Sequence, residues 1–463
     1  MGLFDAFWQA DRATPLATAA MEQVLADEQA RRDAMRRAWA AYEGDFPDPL
    51  KTKAGQPRDA VKVNRAKRIV NISAFFLFGT LPTISLPVAG EAPEVETDDE
   101  AWLEDVLRIN QLPAQALDWA TNGGITGTGY LRLYPPAQAG GVPTFQVLDS
   151  GNMTIHWDPR DITQITGYDW EFNAGTVQYR QVIRAAGAQW TITDQHRRVG
   201  SQDDWITDEA VTWPFPWPPI LHNKNLPAPN AVYGEPDLTD SIIDLNKALN
   251  FNRSNRARIQ KHYGHPKAWV KRMGNTGKLD FDVQNLLNLG EEGELGQINP
   301  PPANADAEIL GREIDSALDE ESSTPAVTRG RAELRNPSGV ALRIAFWPMA
   351  QKTTVKRTLY GPALIELIRR LFDLGGRGPD KIVTLTWPEL LPTDPESERR
   401  VAVQDQALGV VSRATLAANL GYDWETEQAN LELEKALDPE PTVIESSKDA
   451  NLRAKAETAR GGS

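Results

Sequence analysis

Several short motifs contain residues able to do chemistry, and the first is rich in glycine. The stretch TNGGITGTGYLRL, residues 121–133, has the glycine content of a phosphate-binding loop. A phosphate loop runs from a strand through the glycines into a helix. Here a helical pattern precedes the glycines and a strand pattern follows them. We therefore predict a turn or helix stop at this position and no nucleotide site.

Histidines and paired carboxylates supply two further motifs. His262 and His265 form an H-x-x-H pair across a predicted helix end, without a glutamate in metalloprotease spacing. Asp158 and Asp161, in HWDPRD, could act as a catalytic carboxylate pair, but they also fit a turn after a strand. From these motifs we predict no catalytic residues, no cofactor and no metal, and therefore no enzyme.

The 14 tryptophans keep an enzymatic alternative open, since aromatic side chains can stack on sugars. They are spread over the whole chain, which favours positions in cores and subunit interfaces. A carboxylate-dependent, glycan-acting enzyme would be a monomer or small oligomer with a deep acidic pocket.

Composition excludes several other classes. The 463 residues suffice for two to four domains, the net charge is −15 and the pI is about 5.0. A protein that grips nucleic acid over a broad surface is usually basic, so any such contact must be local or weak. The chain has no cysteine, and we find no signal peptide, myristoylation pattern or membrane-spanning run. We expect a soluble protein that is intracellular when made and makes no membrane contact.

The most informative feature is a predicted helix, residues 236–262, whose apolar stripe stops halfway. Leu238, Ile242, Leu245 and Leu249 share one face at helical spacing. The second half continues without such a face. It carries only basic charges: Arg253, Arg256, Arg258 and Lys261.

A second predicted helix, from about residue 306 to 322, is acidic up to its last turn. Its acids include Glu313, Asp315, Asp319, Glu320 and Glu321. An acidic C-terminal turn opposes the helix dipole, so we expect a compensating basic neighbour or a function that uses negative surface. The short insertion between the two helices predicts an antiparallel pair, with residues 253–261 alongside 307–315.

The remaining pattern mixes helices and strands. Period-two alternation from residue 130 to 213 predicts an antiparallel meander. The other predicted elements are a helix over 17–42, a helix and strand over 63–87, helical segments over 101–122, a β-rich insertion over 266–303, a long helix from about 339 with kinks at Pro348 and Pro362, a strand over 381–392, helices to about 437 and a disordered tail over 438–463. The fold class is α+β.

Five segments in this order are similar to the portal, or head-to-tail connector, proteins of tailed bacteriophages. They are AWAAYEGDF with VKVNRAKRIVNISAFFLFGTLPTI, then PPILHNKNLPAPNAVYGEPDLTDSIIDLNKALNFNRS, then NPSGVALR, then VKRTLYGPALIELIRRL, and finally the segment from LTWPELLPTDP to ANLELE. The similarity covers about residues 21–437. The insertion and the last helical region are both short for the family.

The resemblance implies a portal fold with an α/β wing, a two-helix stem, a small β-rich clip, a long kinked helix and a helical crown. The implied segments are wing 1–235, stem helices 236–262 and 306–327 around a clip at 263–305, tunnel loop 328–338, long helix and return to the wing 339–395, crown 396–437 and tail 438–463.

The resemblance also implies a function and a location. It implies a homo-oligomeric ring, typically of twelve subunits, at one capsid vertex of the virion, assembled in the host bacterial cytoplasm. Double-stranded DNA would pass through without sequence-specific binding during packaging and ejection. The implied partners are the terminase packaging motor, head-completion and tail connector proteins, and major capsid and scaffolding proteins.

Site residues follow from the same resemblance. Arg329, Arg331 and Arg335 would contact DNA from the tunnel loop, or else neutralise the acids just upstream. The acids from Glu313 to Glu321 would line the channel or stem, and Arg253, Arg256, Arg258 and Lys261 would lie between subunits. A non-portal assembly adaptor is the other alternative. Against it, the apolar seam ends at Leu249, which is too short for several coiled-coil heptads.

Overall fold

The computed structural model describes most of the chain. The described residues are 15–51, 60–87, 97–138, 140–201, 203–263, 268–271, 294–297, 305–330, 339–391, 404–406, 408–409, 411–419 and 423–437. The predicted tail at 438–463 lies outside them. The chain divides into two units, Met1–Leu391 and Pro392–Ser463.

The first unit contains a run of strands, β2 to β9, with helices before and after it, which agrees with the predicted α+β class. Its helices are α1 (Pro15–Glu43), α2 (Arg65–Phe78), α3 (Asp98–Ile109), α4 (Leu112–Thr126), α5 (Asp240–Tyr263), α6 (Ala305–Ser322) and α7 (Gly339–Leu374). Its strands are β1 (Thr83–Ser85), β2 (Thr128–Tyr134), β3 (Thr144–Leu148), β4 (Met153–Asp158), β5 (Asp161–Ala174), β6 (Val177–Ala186), β7 (Gln189–Arg198), β8 (Ile206–Trp213), β9 (Ile220–Lys224), β10 (Ala268–Lys271), β11 (Glu294–Gln297) and β12 (Thr384–Thr386).

The predicted meander over 130–213 is confirmed for residues 153–213, where strands β4 to β8 pair with their sequence neighbours in one antiparallel sheet. Residues 130–148 belong to a second sheet, with the order β3-β2-β9. Strand β2 at the centre of this second sheet is buried on both faces. Two short antiparallel pairs, β1 with β12 and β10 with β11, lie elsewhere in the chain, the second within the predicted insertion.

Two apolar cores hold this unit together. The larger core joins the second sheet to α4 and α7, and Trp119 stacks on Phe78 and meets Tyr360 edge-on at its centre. The smaller core contains Leu238, Ile242, Leu249 and Leu318, so the predicted leucine stripe is buried against α1, α2 and α6. Leu245 is partly buried at its edge.

The glycine-rich motif ends a helix, as predicted. Helix α4 terminates at Gly127, whose φ of 91° is left-handed, and β2 begins at the next residue. A Cβ at Gly127 would lie 2.2 Å from the carbonyl oxygen of Gly234. The motif therefore allows a close approach between two backbone segments.

The long helix α7 contains both Pro348 and Pro362. The second unit has two longer helices among its described residues, α8 (Arg413–Asn419) and α9 (Trp424–Leu437). In the part of the chain that the structure describes, no helix is both long and apolar enough to span a membrane.

Candidate functional site

Beside its leucine stripe, helix α5 makes side-chain hydrogen bonds to the backbone of another segment. Buried Asn246, Asn250 and Ser254, one turn apart on one face, bind residues 61–66, which are an irregular segment followed by the first turn of α2. The Asn246 Oδ1 accepts from the backbone N–H groups of residues 65 and 66 at 2.9 and 3.0 Å, and its Nδ2 donates to the carbonyl of residue 63. Asn250 and Ser254 accept from the N–H groups of residues 63 and 61, each at 2.8 Å.

These hydrogen bonds extend past the end of the leucine stripe. Ser254 lies in the half of the helix that lacks an apolar face, yet it binds the backbone of Val61 in the same chain. Asn252 is also buried and donates to the carbonyl of Ala307 at 3.1 Å. The helix loses its apolar stripe because an unpaired backbone segment needs side-chain donors and acceptors.

A buried ion cluster joins α5, α6 and α2. The Asp319 carboxylate binds the guanidinium groups of Arg65, at 2.5 Å, and Arg329. Asp315 faces Arg253 at 3.2 Å, Arg329 at 3.5 Å and Arg65 at 3.8 Å. Except for Arg253, which is 30% exposed, these side chains are at most 13% exposed. Three arginines therefore enclose two aspartates where the predicted stem pair, α5 and α6, meets the rest of the unit.

Burial dominates the electrostatics of this cluster. Burial raises the pKa of Asp319, although Arg329 and Arg65 oppose the shift. Burial also lowers the pKa of Arg65, and the charge of Arg329 adds to that effect. Such charges cost desolvation energy and remain ionised only because partners surround them.

A second buried cluster holds α7 against the residues that immediately precede α5. The fully buried carboxylate of Asp237 lies 2.7 Å from Lys352 Nζ and 2.5 Å from Lys356 Nζ. Burial raises the pKa of Asp237, but the two lysines outweigh burial and bring it to about 2. Burial lowers the pKa of Lys356 to about 8, with Asp237 opposing the shift. Gly124 leaves room for this carboxylate, since a Cβ there would lie 2.8 Å from Asp237 Oδ2.

The acidic end of α6 receives the basic neighbours that the sequence required. Arg65 and Arg329 meet Asp319, and Lys352 Nζ donates to the carbonyl of Ser322 at 3.0 Å. A cation at the C-terminus of a helix offsets its dipole. The same lysine therefore connects Asp237 to the end of α6.

The four predicted stem bases are arranged along the antiparallel pair. Arg253 binds Asp315, and Arg256 lies 3.7 Å from Glu308, so α5 and α6 run in opposite directions as predicted. Arg258 is half-buried and Lys261 is exposed. Their part in contacts between subunits stays a prediction.

The five predicted acids of α6 divide into two groups. Asp315 and Asp319 point into the ion cluster. Glu313, Glu320 and Glu321 are exposed. The exposed group alone is placed to give a solvent-facing negative surface.

The predicted tunnel-loop arginines are only partly described. Arg329 ends a short 3₁₀ turn, Ala326–Arg329, and binds Asp319 and Asp315. It therefore has the intrachain partners that the salt-bridge alternative foresaw. Arg331 and Arg335 lie outside the described residues.

The motifs considered for catalysis have structural partners. Asp158 and Asp161 flank the turn between β4 and β5, where they accept backbone N–H groups of Arg160 and Thr163. His262 is in α5, and His265 is outside the described residues. No group of three or more histidines and carboxylates placed to hold a metal occurs within the described ranges.

Sequence reasoning missed three components of these clusters. The sequence predicted only a helix around Arg65, and it did not predict the Asp237–Lys352–Lys356 cluster. It also did not predict the face of α5 formed by Asn246, Asn250 and Ser254, which we call the asparagine ladder. The recurrence of Asn246, Asn250 and Ser254 every four residues was an available signal. The two ion clusters gave no such signal, because each joins residues that are far apart in the sequence. Arg65 and Asp319 are 254 residues apart, and Asp237 and Lys356 are 119 residues apart.

The chain is similar to known proteins over most of its length. A family model described as "Phage portal protein, SPP1 Gp6-like" matches residues 21–438. No curated protein matches the sequence. Among the solved structures that are similar to this chain, three match over 77% of this chain and over 89% of their own chains.

These structures come from gene transfer agent (GTA) particles. The neck of an empty GTA particle computed with C6 symmetry has 15% identity and a TM-score of 0.49. The neck of a native particle computed with C12 symmetry has 13% and 0.46, and the virion of a native particle has 15% and 0.48.

Proposed function

Because the chain belongs to the SPP1 Gp6-like family of phage portal proteins, we propose that it forms a ring, of twelve subunits, at a single vertex of a phage or phage-like capsid. The ring provides a channel for DNA during packaging and ejection. It also serves as a docking platform for the terminase motor and the head-to-tail connector proteins, and it contacts the major capsid and scaffolding proteins. Catalysis is no part of this role.

The single observation that carries the proposal is the extent of the family match. It spans residues 21–438 of 463, so it includes every segment from α1 to α9. In this assignment, α5 and α6 form the stem, residues 263–305 the clip, α7 the long helix and residues 396–437 the crown.

The exposed charge of α6 supports passage of DNA. Glu313, Glu320 and Glu321 are exposed on a helix that also carries Asp306 and Glu308 at its start. Phosphates gain no counterion-release affinity from an acidic wall. DNA would therefore slide along such a channel without binding to it.

Mass measurement tests the ring. Purified protein at micromolar concentration is analysed by native mass spectrometry and by negative-stain images. We expect closed rings with a central channel. A monomer or dimer under all conditions, with no ring classes, would contradict the proposal and favour the enzyme or adaptor alternative.

The DNA contact of the tunnel loop needs a separate test. Arg329 is bound in the ion cluster, so its replacement would disturb the subunit itself. The double variant Arg331→Ala/Arg335→Ala leaves that cluster intact. We expect normal rings with altered DNA packaging or retention, because loop arginines would contact phosphates without reading sequence. Normal rings with unchanged packaging and retention would refute the contact.

A further inference from the structure

The long helix α7 carries an exposed face without charge. Six residues at helical spacing form this uncharged stripe: Ile344, Trp347, Gln351, Thr354, Val355 and Thr358. Ile344 and Trp347 are 69% and 61% exposed. Exposed Arg343 borders the stripe at its N-terminal end. From Ile344 to Thr358 the stripe itself covers about four turns, or about 21 Å, without a charged residue, although charged residues make up 24% of the chain.

The threonines of the stripe are effectively apolar. Thr354 Oγ1 donates to the carbonyl of Ala350 at 2.9 Å, and Thr358 Oγ1 donates to that of Val355 at 2.7 Å. Their hydroxyls are thus bound to the helix backbone, and their methyl groups are left to face outward. Gln351 is the single amide of the stripe.

A cavity of about 660 Å³ lies next to Pro348 of α7, which is exposed and directly follows Trp347 in the sequence. Its other lining residues include Pro325, Ala326 and the charged residues Arg312, Asp315, Asp319, Glu320 and Arg329. The cavity is therefore a charged depression and is not part of the uncharged stripe.

We propose that the uncharged stripe is a contact surface between neighbouring copies of this chain. The inference rests on the proposed ring and names the surface that closes it. Copies with a net charge of −15 repel one another, so they approach most favourably where a surface carries no charge. A ring also needs a lateral surface that meets a different surface on the next copy.

The basic residues of the stem are less suited to this role. Arg253 and Arg256 already face Asp315 and Glu308 of their own chain. Recruiting them to a neighbour would break those pairs. Burial of Trp347 and Ile344 would break none, and large aromatic side chains commonly dominate binding energy in protein interfaces.

Charge insertion tests the proposal. Trp347→Glu places a carboxylate in the stripe, and Ile382→Glu is the matched control, because Ile382 is 66% exposed and lies on a different segment. We expect Trp347→Glu to yield folded subunits without rings and Ile382→Glu to form rings. Rings of normal abundance from Trp347→Glu would overturn the proposal.

Thiol labelling supplies an independent measurement, since the chain has no cysteine. Thr354→Cys introduces a single thiol into the stripe, and Thr176→Cys introduces one in an exposed turn as the control. We expect maleimide to react with the Thr354→Cys thiol about tenfold or more slowly in rings than in dissociated subunits, because an interface core excludes water. The control thiol should react equally in both states.

The outcomes separate the two proposals. Rings whose Thr354→Cys thiol reacts freely would refute the stripe and leave the ring standing. A thiol protected in rings and dissociated subunits alike would mean that the chain covers the stripe itself, which also refutes it. If the unsubstituted chain forms no rings, the proposed function fails first and this inference fails with it.

Discussion

Asp237 is the residue on which the contact between α5 and α7 depends most directly. Its carboxylate is fully buried between Lys352 and Lys356. Removing its charge would leave two lysines near one another, and Lys356 itself is 1% exposed. An uncompensated buried charge is among the most destabilising changes in a protein.

We predict that Asp237→Asn lowers the free energy of unfolding by about 3–5 kcal/mol, because it breaks a buried ion pair and keeps the side-chain shape. Urea titration of the subunit measures the change. Asp244→Asn is the control, since the Asp244 side chain is 72% exposed and pairs with Lys247 on the surface. A loss no larger than that of the control would contradict a structural role for the buried cluster.

The same residue predicts a pH dependence. The pKa of Asp237 falls from its ordinary 3.8 to about 2 in the folded protein, because the lysines outweigh the effect of burial. A lowered carboxyl pKa stabilises the folded state above the unfolded pKa and is lost as pH falls through the folded pKa. We therefore expect the stability difference between the unsubstituted chain and Asp237→Asn to narrow between about pH 4 and pH 2. A constant difference across urea titrations in this window would disagree.

Helix α5 binds its surroundings with two neighbouring faces. Ile242 and Leu249 pack in the smaller apolar core, while Asn246, Asn250 and Ser254 hold residues 61–66. The hydrogen-bonded face positions Arg65 next to Asp319, because residue 65 is both held by Asn246 and part of the ion cluster. The asparagine ladder thus orders the base of the stem pair.

We predict that Asn246→Ala destabilises the subunit by about 1–3 kcal/mol, because it leaves buried N–H groups without acceptors. Lys247→Ala, at the adjacent exposed position, should change stability by less than about 0.5 kcal/mol. Thermal or urea unfolding of both variants makes the comparison. Equal effects would show that the ladder adds nothing beyond helix propensity.

Truncating a leucine of the apolar stripe should lower the stability of the subunit more than removing an arginine from the polar half of α5. Leu249 is buried in the smaller core, and Leu249→Ala should lower the free energy of unfolding by about 2–5 kcal/mol. Arg256→Ala removes a half-exposed pair and should cost only about 0–1 kcal/mol. Unfolding titrations of both variants measure this, and similar losses would contradict the division of α5 into an apolar and a polar half.

At the scale of the whole molecule, salt dependence distinguishes the forces that would hold a ring together. Copies with a net charge of −15 repel at low salt, and the Debye length shrinks from about 10 Å at 0.1 M to about 3 Å at 1 M salt. A ring closed by an uncharged surface should persist over this range. Rings closed by arginine–carboxylate pairs should dissociate.

We therefore predict that the ring fraction stays constant or rises between about 0.1 and 1 M sodium chloride, because screening weakens repulsion more than it weakens apolar contact. Mass photometry at several salt concentrations measures it. Progressive dissociation with salt would assign closure to the stem charges instead.

Local patterns in the sequence are sufficient to predict the helices and strands and their order. Period-two alternation in β4–β8, the stripe from Leu238 to Leu249 and the glycines after α4 each depend on neighbours in the chain, so local periodicity and turn chemistry are sufficient to predict them. The order of segments likewise pointed to the portal family. The acids at the end of α6 even signalled a missing basic partner.

The identity of those partners depends on contacts between distant parts of the chain. Arg65 meets Asp319 across 254 residues and Asp237 meets Lys356 across 119, and no periodicity links residues so far apart. The same holds for Asn246, Asn250 and Ser254 of α5, whose partners in residues 61–66 lie 180 or more residues away in the sequence. A polar side chain in a sequence reads alike whether water or a distant backbone satisfies it, and folding alone determines which of the two lies opposite.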